Sequence, residues 1–213
     1  MSAWWHAWLP GGRESQWASA RWVVVDTETT GLDPARDALI AIGGVAVVDA
    51  GVVPADSFEA IVYRDGNVDQ ENVVIHGLGH EAQRAGAPLP DVLAAFRAWV
   101  GDACLVGYHA RFDRAVLSMA ARRAGIDWPD RRWLDLAPLA AALGRSGAPG
   151  EGTLDDCLAA NGIACSARHH AAGDALATAE LMVKLRARAA RRGAVGFAAL
   201  LDLTSERRWL PTG

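Results

Sequence analysis

The sequence predicts an α/β fold, a mixed β-sheet flanked by helices, and three observations point there. Strand-like segments come first along the chain, and helices and strands alternate after them. The 213 residues suit one medium-sized domain. Just over half of them, 51%, are apolar, enough to bury a core.

The body opens at Trp22–Val25, where a tryptophan and three valines read as a strand. Leu39–Val48 is a long apolar segment that carries Gly43-Gly44, and Phe58–Tyr63 alternates. With turn signals at Gly31–Asp37 and Asp49–Pro54, these read as three consecutive strands. Leu89–Val100 has helical spacing at Val92, Leu93, Phe96 and Trp99. Cys104–Tyr108 is a short apolar strand, and Phe112–Ala124 is a helix ending before Gly125. Another helix is expected over Leu136–Leu143, then a Gly/Pro-rich loop over Gly144–Gly152. Thr153 with Asp156 three residues on forms a capping-box pattern that opens a helix over Leu154–Asn161. The longest helix is expected over Ala171–Arg192, with Leu176, Ala179, Leu181, Met182 and Leu185 near one face. Its basic end, RARAARR, suits a helix C-terminus, where cations meet the dipole favourably. A short helix over Val195–Leu203 closes the series. Residues 1–20 stand apart as a Trp-rich N-terminal extension: Trp4, Trp5 and Trp8 have helical spacing, broken by Pro10-Gly11-Gly12. The domain proper is residues 21–213.

The formal net charge of −4 argues against coating of long nucleic acid, which usually takes a basic surface. Capture of one strand end by acids that hold divalent cations stays open. The apolar run Ala38–Val48 is too short to span a bilayer, and the first residues have no cation ahead of their apolar patch, so neither membrane insertion nor secretion is expected. Cys104, Cys157 and Cys165 form no C-x-x-C pair and read as reduced thiols of a cytoplasmic protein.

The chemistry concentrates in acids. In VVVDTETTG (23–31), Asp26 and Glu28 are two apart on a strand and project from the same face. Like charges so placed raise each other's pKa unless a cation compensates. Asp113, in GYHARFDRAVL, opens a helix after a buried strand; Asp174, in RHHAAGDALATAEL, lies near the start of the longest helix, five residues after His169. Each can be read alone as a helix-start residue. Together, four carboxylates and a histidine without thiolate ligands favour hard ions such as Mg²⁺ or Mn²⁺. Two such ions can stabilise both oxygens of an in-line phosphoryl displacement, and a histidine can take the proton of the attacking water.

The blocks DTETTG, HARFD and HHAAGD, in this order, resemble the His subtype of the DEDD 3′–5′ exonuclease superfamily, the family of the polymerase III epsilon subunit and RNase T. VVIHGL (73–78), WLDLAPLA (133–140) and TLDDCLAANGI (153–163) are similar to its intermediate segments, so the likeness runs from about Arg21 to Arg186. Tyr108 and His109 depart from its usual His-Asn pair, and Leu136 stands where it has Thr. The resemblance implies an RNase H-like sheet and a 3′-end pocket. Asp26, Glu28, Asp113 and Asp174 are then the metal ligands, and motif register selects His169 over His170 as general base. Thr27, Thr29 and His76 are implied contacts to the terminal nucleotide. The expected activity is metal-dependent hydrolysis from nucleic-acid 3′ ends, single-stranded DNA in first place, releasing nucleoside 5′-monophosphates. The alternatives are RNA trimming of the RNase T kind and a catalytically silent nucleic-acid-binding domain. Polymerase association has no sequence support, since none of Gln16, Gln70 and Gln83 opens a clamp-like Q-x-x-L-F pattern.

Overall fold

A five-stranded sheet in the order β3-β2-β1-β4-β5 organises the chain in this computed structural model, which describes residues 21–49, 51–65, 78–147, 152–165 and 168–206. β1 (Trp22–Thr29) is central, antiparallel to β2 (Leu39–Val48) and parallel to β4 (Cys104–Gly107). β3 (Gly51–Ile61) and β5 (Trp133–Asp135) are the edges. The helices are α1 (His80–Arg84), α2 (Leu89–Val100), α3 (Arg111–Arg123), α4 (Leu136–Ala142), α5 (Leu154–Ala160), α6 (Ala171–Arg191) and α7 (Gly196–Glu206). The mixed, helix-flanked sheet expected from the sequence is therefore present. The Trp-rich segment 1–20 lies outside the described residues.

Strand alternation splits the core in two. Trp22 and Val24 face one side, where Val45, Val47, Val106 and Leu134 pack with residues of α4, α5, α6 and α7. Val23 and Val25 face the other, against Ile42, Leu105 and the inner faces of α2 and α3. A strand covered on both sides has no polar face to alternate with, which is why residues 22–25 are apolar without a break.

Two glycines set how closely helices approach. Gly43 stands opposite Asp26 in the β1–β2 ladder, and a Cβ there would lie 2.1 Å from the backbone carbon of Ala171. The first turn of α6 thus rests on the sheet beside the end of β1. A Cβ on Gly44, on the other face, would meet the Trp99 ring at 2.8 Å.

The structure corrects the sequence reading at three places. β3 begins at Gly51, inside the turn expected at Asp49–Pro54. The ladder pairs Ala46 with Val53 and Val45 with Ser57, so residues 54–56 bulge out and Pro54 loses no ladder bond. β5 and α1, of three and five residues, are too short to show a period. The capping box at Thr153 forms as read: its hydroxyl accepts from the Asp156 amide, and Asp156 Oδ2 accepts from the Thr153 amide.

Candidate active site

The carboxyl ends of β1, β4 and β5 lie along one edge of the sheet, the position where open α/β folds place their ligand sites. Asp26 and Glu28 continue the register of Trp22 and Val24, so they point to the side covered by α6. That helix brings Asp174 from its first turn, buried at 4% exposure. One ligand oxygen from each of Asp26, Glu28 and Asp174 lies within 4.8 Å of the others.

Asp113 arrives from the opposite side. It sits in the first turn of α3, buried, where the intervening Thr27 projects, and the Thr27 hydroxyl donates to its Oδ1 at 2.8 Å. Its charge is nevertheless felt by Asp26. The four acids taken from the sequence therefore meet around the end of β1, two on the strand and one from each layer of helices.

Crowding shows in their proton affinities. Burial, then the charges of Asp113, Glu28 and Asp174, hold the Asp26 carboxyl well above its ordinary range. Burial and Asp174 push Glu28 up to about 7. Asp113 is also raised to about 7, mainly by burial, with the Thr27 hydroxyl bond opposing the rise. Burial likewise raises Asp135, at the end of β5, whose Oδ1 accepts from the backbone amides of His109 and Ala137. A cluster of carboxylates in which Glu28 and Asp113 are pushed to about 7 is short of positive charge, and a hard divalent cation supplies it.

The adjacent histidines are separated by the turn into α6. His169 is exposed, with φ 59°, and its amide donates to Asp174 Oδ2 at 3.0 Å. His170 caps α6, and its Nε2 lies 3.3 Å from Glu59 Oε1 on β3. The second imidazole is thus turned to the sheet edge, while the first residue of the pair touches the acid cluster through its backbone amide.

Of the residues expected to meet a nucleotide, Thr27 uses its side chain on Asp113, and the Thr29 hydroxyl donates to the Gly31 carbonyl at 2.6 Å. His76 lies outside the described residues. The expected turn after β1 is tied by Thr30, whose Oγ1 lies 3.2 Å from Asp37 Oδ1 and accepts from the Ala38 amide. The departures at 108 and 109 form a clasp: Tyr108 Oη donates to the carbonyls of Gly152 and Thr153, and His109 Nε2 lies 3.2 Å from the Gly152 carbonyl.

Two neighbours of Asp174 escaped the sequence reading. The Arg168 guanidinium is paired with both Asp174 and Asp155. The Cys165 thiol lies 3.6 Å from Asp174 Oδ1. Arg168 had a visible signal, a cation set directly before the histidine pair in an acidic constellation; Cys165 had none.

Known proteins share this arrangement of chain. A family model described as exonuclease, of the RNase T kind, matches residues 23–182. The PolC-type DNA polymerase III of Thermotoga petrophila is 28% identical over 172 residues, covering 80% of this chain and 12% of that protein. A DNA polymerase III subunit epsilon-like protein of Rhodobacter capsulatus is 33% identical over 183 residues, 84% of this chain and 25% of that one. Among solved structures, E. coli exonuclease I in complex with a dT13 oligonucleotide superposes with a TM-score of 0.68 at 23% identity, covering 82% of this chain and 42% of that chain. That likeness shows the fold, an RNase H-like mixed sheet. The chain spans less than half the length of each of these proteins.

Proposed function

Since the chain belongs to the RNase T exonuclease family, within the DEDD superfamily of 3′–5′ exonucleases, we propose that it removes nucleotides one at a time from the 3′ end of single-stranded DNA. The observation that carries this reading is the meeting of Asp26, Glu28 and Asp174 within 4.8 Å, with Asp113 held against the same strand end by Thr27. Asp26, Glu28 and Asp174 are the residues to hold Mg²⁺ or Mn²⁺, and Asp113 adds a fourth carboxylate. Bound there, two such ions would supply the charge that a phosphodiester displacement needs at its attacking and leaving oxygens.

The protein's own groups do the rest. His169, exposed beside Asp174, takes the proton of the attacking water, the role that defines the His subtype. Thr27 keeps Asp113 oriented. The backbone around Thr27 and Thr29, with His76, receives the terminal nucleotide, and the product is a nucleoside 5′-monophosphate. DNA is preferred over RNA as substrate because relatives carry polymerase III names and a structural neighbour holds a dT13 strand. The catalytic unit is residues 21–213, and 1–20 is an extension to it. No helix among the described residues is long and apolar enough to cross a membrane, and the place of action we propose is the cytoplasm.

The test is digestion of end-labelled single-stranded DNA, mismatched duplex and short RNA, each with and without Mn²⁺, by the wild type and by Asp26→Ala. The wild type should shorten single-stranded DNA fastest and only with metal, and the variant should be inactive while keeping its circular dichroism. An unchanged rate in the variant removes Asp26 from the site; faster loss of RNA moves the reading to RNA trimming.

A further inference from the structure

One cation already faces the acid cluster, and it belongs to the chain. Arg168 directly precedes His169, and its side chain is only 23% exposed, so water screens it weakly. The guanidinium reaches Asp174 Oδ1 through Nη1 and Asp155 Oδ1 through Nε. Its charge also opposes the upward pull on Asp26 and Glu28. On Asp174, Oδ2 is engaged by the His169 amide, and Oδ1 by Arg168 with the Cys165 thiol at 3.6 Å. A metal ion that binds Asp174 meets a carboxylate already neutralised.

We propose that Arg168 is a built-in competitor for the metal ion: it balances the Asp26–Glu28–Asp174 cluster until a divalent cation displaces its guanidinium from Asp174 towards Asp155, so that residue 168 sets the affinity of the site. The inference rests on the metal-binding reading above and adds to it the residue that tunes it. Asp155 is the natural resting place. It lies in the first turn of α5, its side chain is 62% exposed, and the Arg168 bond holds its carboxyl below the ordinary range. Arg168 thus has two carboxylate partners, and only Asp174 belongs to the cluster. Moving from shared to single pairing costs it one ion pair, which the ion must outbid.

The experiment is calorimetric titration of Mn²⁺ into the metal-free protein and three variants, with melting temperature as the measure of folding. Removing the competing charge in Arg168→Gln should tighten Mn²⁺ binding roughly tenfold, and removing the resting place in Asp155→Asn should weaken it roughly threefold. Arg168→Lys keeps the charge and should stay near the wild type. The gap between Arg168→Gln and wild type should shrink in high salt. If Arg168 only braced the turn before α6, both Arg168→Gln and Asp155→Asn would bind Mn²⁺ more weakly, and that outcome overturns the proposal, as does unchanged affinity in Arg168→Gln. Should Arg168→Gln fail to fold, Arg168→Met, which also removes the charge, decides it: tighter Mn²⁺ binding than the wild type supports the proposal, and weaker or unchanged binding refutes it. A wild type that binds no Mn²⁺ fails the metal-binding reading itself, and this inference falls with it.

Discussion

Without metal, the site should make the protein less stable as pH rises. Glu28 is pushed from its ordinary 4.5 to about 7, and Asp113 from 3.8 to about 7. Both bind protons more tightly folded than unfolded. Their contribution to stability is therefore complete in acid and is lost as pH climbs from about 4 to about 7. Each tenfold gain in proton affinity on folding corresponds to about 1.4 kcal/mol, which sets a ceiling of about 3 kcal/mol for Glu28 alone. Glu28 is partly open to solvent and its charge is shared with its neighbours, so about 2 kcal/mol between pH 5 and pH 8 is a sounder figure. In a chain of this size that is roughly 4–8 °C in melting temperature. The assay is thermal unfolding in a chelating buffer from pH 5 to pH 8, for wild type and for Glu28→Gln, in which that carboxylate no longer titrates. The wild type should lose several degrees more than the variant across this range. Mn²⁺ at pH 8 should restore the wild type far more than the variant, because a ligand that binds only the folded state raises its stability. Parallel profiles for the two proteins, or a wild type that melts higher at pH 8 than at pH 5 without metal, would show that the acids are not in mutual strain.

His169→Ala should lower turnover by roughly 10²–10⁴-fold, as expected for a lost general base, with His170→Ala close to wild type because its imidazole serves Glu59; single-turnover rates check this, and the reverse result would reassign the base. Gly43→Ala places a methyl 2.1 Å from the Ala171 carbonyl carbon, so α6 must shift, at a cost of about 1–3 kcal/mol. Since α6 carries Asp174, its Mn²⁺ affinity should fall along with its melting temperature, and normal affinity in that variant would mean that the helix start adapts without moving the carboxylate.

What the sequence made legible was what local rules govern. The unbroken apolar start of β1 and the i, i+2 spacing of Asp26 and Glu28 need only strand geometry to interpret. Asp113 and Asp174 were findable because each opens a helix after a strong signal. Which face each helix would cover was not, since periodicity shows that a stripe is buried but not against which side of the sheet. So the hydrogen bond from the Thr27 side chain to Asp113, on the α3 side of the sheet, had no signal in the sequence. Arg168 went unread for a similar reason: it sits in the turn before α6, and its partner Asp155 is 13 residues away on α5. Pro54 misled in the other direction, because a proline inside an edge strand is tolerated where a bulge removes the need for its amide.

The two-sided origin of the acids has a mechanical consequence. Asp174 is fixed in the layer packed on Trp22 and Val24, Asp113 in the layer packed on Val23 and Val25. Any ion shared between them stitches the two layers together through the sheet. Loosening either layer alone then breaks the stitch, so an occupied centre should make the domain unravel as one cooperative unit, and release of the ion should report the loss of whichever half yields first.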